Sequence, residues 1–390
     1  MPKSADVVIV GGGIMGASTA YFLTKAGKKV VVVEREIAAN GSSSACDGTL
    51  FIQSKPAGPK MEMAIKSIDL YAKLATEIPY DFEFKQQGGM ILIETEEEYK
   101  AIAHIVEEQR ALGAPVSIIS GNEARKRQPG LSEGIIAAAY CPKDAHINPM
   151  KATLAFLNAS IDMGCTFLKR TNVIGIDMKN GCVSSILTSE GNIATPCIVN
   201  AAGVWAPEIS RMLGLETPIV PRKGEIIVTE PIEPSFNGIF LEARYIAIKH
   251  SPSIAEKSND FAMKKGIGMV AEQTRSGNIL IGSSREFVGF DKSANCAVIE
   301  AIAKRALRFF PFLKNISIIR SFAGLRPYTP DGLPYVGAVN GIGGFIMAAG
   351  HEGDGIALAP ETGRLLAELI ENGCCEPLEM FSPNRLFTNA

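Results

Sequence analysis

The sequence predicts an α/β fold of mixed α+β character, and three observations carry that prediction. The chain opens with an apolar strand, a Gly-rich turn, an amphipathic stretch and a second apolar strand, all between Asp6 and Glu34. Strand-then-helix patterns return in the middle of the chain and at its C-terminal end. Between them lie segments with the alternation and turn signals of antiparallel strands. Together these describe one α/β domain assembled from residues 1–80, 140–218 and 320–390, with a sheet-rich domain formed by the insertions 81–139 and 219–319.

The opening unit reads Val8-Ile-Val-Gly-Gly-Gly-Ile-Met-Gly16, followed by Lys29-Val-Val-Val-Val-Glu34. Gly11 allows a tight turn, Gly13 lets backbone approach a pyrophosphate, and Gly16 lets the helix pack on the strand. Ile14 and Met15 begin the helix, whose free N–H groups face the phosphates. Glu34 lies 18 residues beyond Gly16, where a carboxylate accepts from ribose hydroxyls. The reading is a Rossmann-like dinucleotide site.

The other elements follow in order. A small-residue loop runs from Ala38 to Gly48 and contains Ser42, Ser43, Ser44 and Asp47, with Thr49 just beyond. The apolar spacing of Met61, Ala64, Ile65, Ile68 and Leu74 predicts a helix to Glu77. Phe82–Phe84 and Gly89–Glu94 read as strands, and Glu96–Leu112 and Gly121–Gln128 as helices. Asn148 caps a helix with Pro149 in its first turn, ending near Met163. Asn180-Gly181 joins two strands as a hairpin. Ile198–Gly203 is a buried strand ending in small residues. Gly224–Thr229, Ile267–Ala271 and Asn278–Gly282 suggest antiparallel strands, Asn295–Phe310 a helix, and Gly344–Ala349 a strand. A Gly-rich turn, Gly350 to Gly355, then leads into a helix to about Glu371. Lys249–Gly266 is polar and irregular, a solvated surface loop, a lid or a partner contact.

Composition is that of a globular chain: 390 residues, 46% hydrophobic, formal net charge −2. No basic excess points to nucleic acid or an anionic membrane. No apolar run is long enough for a transmembrane segment. The first strand begins so early that no signal peptide is expected. The eight cysteines include no Cys-x-x-Cys pair and read as reduced thiols of a cytoplasmic protein. Cys46 reads as a buried thiol, and adjacent Cys374 and Cys375 make a poor disulfide. No metal site is expected.

Five blocks, taken in order, resemble one family: the opening Gly-rich unit, Val199-Asn-Ala-Ala-Gly-Val-Trp-Ala206, Ile281-Gly-Ser-Ser-Arg-Glu286, Ala323-Gly-Leu-Arg-Pro-Tyr-Thr-Pro-Asp-Gly-Leu-Pro-Tyr-Val-Gly337, and Ala348-Ala-Gly-His-Glu-Gly-Asp-Gly-Ile-Ala-Leu-Ala-Pro360. The chain resembles the glycine oxidase, sarcosine oxidase and D-amino-acid oxidase group of FAD-dependent enzymes over nearly its whole length. Within that group it is most similar to β subunits of heteromeric dehydrogenases of proline or hydroxyproline, of opine oxidase and of hydrogen cyanide synthase.

The resemblance implies non-covalent FAD. Gly11, Gly13, Gly16 and Glu34 would hold its ADP half, with Arg35 beside the adenine and the Val173 backbone meeting it. Ser42, Ser43, Asp47 and Gly48 would follow the pyrophosphate and flavin, and Ala201 and Gly203 would pass beside the cofactor. Trp205 reads as core packing. Arg326 would hold the substrate carboxylate, for which a planar guanidinium is suited. Gly353, Asp354, Gly355 and Ile356 would face the flavin at a helix N-terminus. His351 is either a flavin contact, a proton shuttle or a turn histidine packed on its neighbours. One departure stands out: simple glycine oxidases carry a second carboxylate-binding Arg at the position of Gly353, where this chain has Glu352 and Asp354 on either side.

The implied activity is oxidation of a small amino or imino acid (D-amino acid, hydroxyproline, proline or sarcosine type) by hydride loss from the α-carbon, giving an imine. The implied setting is the catalytic β subunit of a heteromeric dehydrogenase, with a partner subunit carrying an iron–sulfur or second flavin centre. Such a complex would be cytoplasmic or peripheral to the membrane. The alternatives are a stand-alone oxidase producing hydrogen peroxide, a non-catalytic flavin subunit and an NAD-dependent dehydrogenase. The last has no need of the Gly350–Gly355 and Arg326 blocks.

Overall fold

The computed structural model describes residues 2–250 and 259–386. Strands Val7–Val10, Val30–Val33, Thr166–Leu168 and Ile198–Asn200 pair parallel in one six-stranded sheet. Phe345–Ala349 continues it in parallel, and Tyr335–Ala338 closes its edge antiparallel. The first two strands are all-Val/Ile and buried throughout, as a strand covered on both faces requires. The helices Ile14–Lys25, Pro149–Asp162 and Gly355–Asn372 pack together against it, and Ser18 Oγ donates to the Ala359 carbonyl at 2.8 Å across two of them.

A second, eight-stranded sheet draws its strands from residues 89–141 and 220–328. Its spine is the long antiparallel pair Val220–Pro231 with Ile318–Tyr328, in which Arg222 lies opposite Arg326 and Gly224 opposite Gly324. A separate aromatic core of Phe236, Phe240, Phe309 and Phe310 packs the helix Cys296–Phe309 onto this sheet. Asn295 caps that helix by accepting from Ala297 and Val298 N–H.

The sequence-based boundaries hold within a residue or two for most elements. Asn148 accepts from Lys151 N–H as the predicted cap, and Asn180 and Gly181 both take positive φ in the hairpin. One strand is corrected. Phe82–Phe84 is not a strand: Glu83 takes φ 60°, which breaks the extended backbone, and Phe82 turns inward beside Phe156 and Tyr71. Pairing begins only at Lys85–Gln86. Of the polar segment Lys249–Gly266, residues 251–258, Lys257 among them, lie outside the described residues. Its last part forms a short helix, Phe261–Lys264, capped by Asp260.

Candidate active site

A cavity of about 420 Å³ lies where the C-terminal ends of the parallel strands meet the large sheet. Val10, Val33, Ala201 and Ala349 line it from the first sheet, and Gly224, Leu241, Val270 and Arg326 from the second. Open α/β sheets place ligands at this end of their strands.

At the parallel-sheet end the backbone is packed to glycine dimensions. A Cβ on Gly11 would lie 2.6 Å from the Ala201 carbonyl, and one on Gly16 only 1.9 Å from the Gly11 carbonyl. The helix Ile14–Lys25 has Gly13, which offers no side-chain oxygen, as its N-cap and no acid in its first turn, so apart from the Ile14 N–H taken by Ser43 its positive end is left for a ligand. Glu34 closes this end. Its Oε2 accepts from Gly12 N–H at 2.7 Å and its Oε1 from Glu36 N–H at 2.9 Å. These bonds fix the carboxylate on the cavity wall and leave lone pairs for a ribose.

The loop after Glu34 crosses the cavity mouth. Ser43 Oγ accepts from Ile14 N–H at 3.0 Å, and Ser42 Oγ donates to the Leu325 carbonyl, tying the loop to both halves of the fold. Asp47 accepts from Thr49 N–H at 3.2 Å. Glu272, absent from the sequence reading, accepts from Gly48 N–H at 2.7 Å. Burial, with Asp47 nearby, pushes its carboxyl up to about 8. Cys46 lines the cavity half-buried, and burial raises its thiol well above the usual value.

At the opposite end three guanidinium groups converge. Arg326 Nη1 donates to the Ser284 carbonyl at 2.9 Å and Nη2 to Ser283 Oγ, which fixes it against the strand end at 283–284. Arg285 donates to Glu352 Oε1 at 2.9 Å, Arg222 pairs with the same oxygen, and Arg326 Nε lies 4.0 Å away. Arg285 stacks on Tyr245, 4.4 Å from the ring centre, and Arg222 on Tyr328 at 4.5 Å. Glu352 sits at φ 51°, left-handed for a non-glycine residue.

Between the two ends, the turn 350–355 leads into the helix Gly355–Asn372, which also starts without a side-chain cap. Lys55 Nζ lies 3.1 Å from Asp354 Oδ1 and Lys60 Nζ 2.7 Å from Asp354 Oδ2, all largely buried. His351 is buried, its Nε2 3.4 Å from Thr362 Oγ1. Burial, with Lys60 adding to it, lowers its pKa to about 3, so the imidazole is neutral.

The structure gathers Gly11, Gly13, Ile14, Met15, Glu34, Arg35, Ser42, Ser43, Asp47, Thr49, Val173, Ala201, Gly203, Arg326, His351, Gly353, Asp354, Gly355 and Ile356 around this one cavity. Gly16 and Gly48 are set behind the wall, where a Cβ on Gly48 would lie 1.8 Å from the Ile147 carbonyl. Trp205 is a correction. It is half-buried on the cavity wall, with Arg35 over its ring at 4.2 Å and Phe290 stacked on it at 5.9 Å. The indole faces the cavity because it follows directly on the strand end at Ala201–Gly203. Lys55, Arg285 and Glu272 went unread because their partners are distant in sequence.

A glycine-shaped cradle, an uncapped helix N-terminus, a ribose-height carboxylate and a second uncapped helix start along one elongated cavity suit a dinucleotide carrying an extended ring system. The comparisons agree. The model of the family described as FAD dependent oxidoreductase matches residues 6–369. Glycine oxidase of Geobacillus kaustophilus is 30% identical, covering 95% of this chain and 94% of its own. Hydrogen cyanide synthase subunit HcnC of Pseudomonas protegens is also 30% identical, covering 95% and 93%. The crystal structure of L-proline dehydrogenase from P. horikoshii superposes with a TM-score of 0.89 at 29% identity, covering 99% of each chain. That of glycine oxidase from Geobacillus kaustophilus gives 0.87 at 28%, covering 98% and 99%. The chain belongs to the family of FAD-dependent oxidoreductases that act on amino acids.

Proposed function

We propose that the chain oxidises the Cα–N bond of a small amino or imino acid of the D-amino acid, hydroxyproline, proline or sarcosine type. The observation that carries this is the Arg326 guanidinium, partly exposed on the cavity wall and held from behind by Ser283 and Ser284. A guanidinium fixed in this way grips a carboxylate with parallel hydrogen bonds and fixes the α-carbon beside it.

FAD bound here supplies the two-electron acceptor for the hydride that leaves the α-carbon. The amine would react in its neutral form, its lone pair closing the C=N bond as the hydride leaves; the iminium proton would pass to water, and water would hydrolyse the imine unless it is cyclic. Gly11, Gly13 and Glu34 would hold the ADP half, with Gly16 packing the helix behind them, and Arg35 with Trp205 would form a stacked wall beside the adenine. Ser42, Ser43 and Asp47 order the loop over the cofactor. The positive helix start at Gly355, with Lys55 behind it, favours negative charge on the reduced ring system. The neutral His351 carries no charge into the site. Residues 1–80, 140–218 and 320–390 serve as the cofactor unit, and 81–139 and 219–319 as the substrate unit.

We further propose that the chain works as the catalytic β subunit of a heteromeric dehydrogenase, passing electrons to a partner subunit. The acidic turn Glu352–Asp354, where the simple oxidases resembled here have an Arg, supports this, as does the subunit status of the hydrogen cyanide synthase relatives. Anaerobic mixing of the holoenzyme with D-hydroxyproline, L-proline, sarcosine and D-alanine tests the reading. Bleaching of the visible flavin band is expected with at least one of them, and slow reoxidation in air. Absence of bleaching with every amino and imino acid tried, dicarboxylic ones included, sinks the oxidation reading. Rapid reoxidation with peroxide makes the chain a self-sufficient oxidase.

A further inference from the structure

The cation count at the substrate end exceeds what one carboxylate requires. Arg222, Arg285 and Arg326 surround a single oxygen of Glu352. Glu225 lies 3.2 Å from Lys223 Nζ and Glu286 2.7 Å from Lys265 Nζ, while Asp354, paired with Lys55 and Lys60, also acts on Arg285, so that Arg222, Arg285, Arg326, Lys55 and Lys60 face the two carboxylates of Glu352 and Asp354. Arg285 lines the cavity with its side chain 4% exposed, and its Nε is buried without a hydrogen-bond partner. A buried guanidinium left partly unsatisfied and facing a cavity is a site for an anion.

Arg326 and Arg285 reach the same Glu352 oxygen at 4.0 and 2.9 Å, so a short molecule spans both. The strand end at 283–285 sets this spacing, because Ser283 and Ser284 brace Arg326 and the next residue is Arg285. The position at Gly353 stays open against the Arg326 side chain, 3.4 Å from where a Cβ would stand.

We infer that the substrate is an amino or imino dicarboxylic acid, its α-carboxylate on Arg326 and its second carboxylate on Arg285. This rests on the reading that Arg326 holds the α-carboxylate. Glu352 orients the guanidinium groups and offsets one charge, and the second carboxylate of the substrate offsets another.

The test titrates oxidised holoenzyme with glutarate and with butyrate, following the shift of the flavin absorption band. Glutarate is expected to bind about tenfold or more tightly than butyrate, and Arg285→Gln, with FAD content verified, to bring the two within about a factor of two. Equal binding of the two acids by the wild-type protein overturns the inference, and that comparison decides it even where the variant fails to fold. Anaerobic bleaching by aspartate, glutamate and iminodiacetate against alanine and sarcosine separates the two readings. Bleaching by the monocarboxylates alone overturns the dicarboxylate inference and leaves amine oxidation standing. Glutarate preference without bleaching by any amine overturns the oxidation reading and keeps the paired anion site.

Discussion

A Cβ on Gly224 would stand 2.2 Å from Nη1 of Arg326. The two residues belong to adjacent antiparallel strands, and the missing side chain at 224 is the space in which the guanidinium lies. The orientation of Arg326 is therefore set by a glycine on the neighbouring strand as much as by Ser283 and Ser284. Gly224→Ala is expected to push the guanidinium out of position and lower kcat/KM by about 100-fold, since a displacement of about 1 Å in a positioning group has that effect. FAD content and circular dichroism should stay as in the wild type. Unchanged kinetics in a folded G224A protein would show that Arg326 does not position the substrate.

Arg326 itself is tested by charge-conserving replacement. Lysine keeps one positive charge but loses the planar pair of donors that grips a carboxylate. Arg326→Lys is expected to raise KM at least about tenfold, and Arg326→Ala to raise it further or abolish turnover. A steady-state series over the best amine of the bleaching panel checks this. Activity of an assembled complex that is indifferent to R326A would point to a non-catalytic flavin subunit.

The dinucleotide end of the site was legible in the sequence because its parts are contiguous. Gly11, Gly13, Gly16 and Glu34 belong to one βαβ unit, and their spacing is dictated by local geometry. The substrate end was only half legible. Arg326 could be read from its block, but Arg222 and Arg285 acquire meaning only when strands 220–231, 278–282 and 318–328 meet, and Lys55 only when the turn at Asp354 comes beside it. Trp205 was misread for the same reason: burial in the core and exposure on a cavity wall leave the same mark on a sequence. Phe82–Phe84 failed locally, since alternation of aromatics does not reveal the positive φ of Glu83.

Lys55 tests the polar layer beneath the helix start at Gly355. It is 2% exposed and pairs with Asp354, itself 3% exposed. Lys55→Met removes one cation from Asp354 and keeps Lys60. Removing one partner of a buried pair costs about 3 kcal/mol or more when nothing replaces it, and Lys60 offsets part of that here. The expected result is a measurable loss of stability in urea and a lower flavin reduction potential, because a cation near the ring system is gone. A potential equal to that of the wild type would place Lys55 outside the electrostatic reach of the flavin.

Glu272 gives a pH dependence with a definite sign. Its folded pKa, about 8, lies above the ordinary carboxyl value of 4.5, chiefly because burial penalises the charge. The folded chain therefore holds a proton that the unfolded chain releases. The stability this contributes is full below pH 4.5 and is lost as pH rises through 8. Glu272→Gln keeps an oxygen for Gly48 N–H and carries no charge. The variant should gain on the wild type by about 3 kcal/mol between pH 5 and pH 7.5. Urea unfolding at the two pH values measures the difference; a constant offset would mean that the carboxyl ionises normally.

His351 has the opposite sign. Its folded pKa is depressed from 6.5 to about 3, with burial the main cause and Lys60 the second. As pH falls below 6.5, the unfolded chain binds a proton that the folded chain refuses, so stability is full above 6.5 and declines down to about 3. Replacing the ring removes this penalty. His351→Gln should lose about 2 kcal/mol less than the wild type between pH 6.5 and pH 5. The same neutrality constrains catalysis. A histidine that shuttled protons at its ordinary pKa would put a limb near pH 6.5 into the kcat/KM profile. A ring held neutral down to about 3 contributes none, so wild type and H351Q should share the shape of that profile even where their absolute rates differ. A limb near 6.5 that disappears in the variant would establish His351 as the proton shuttle after all.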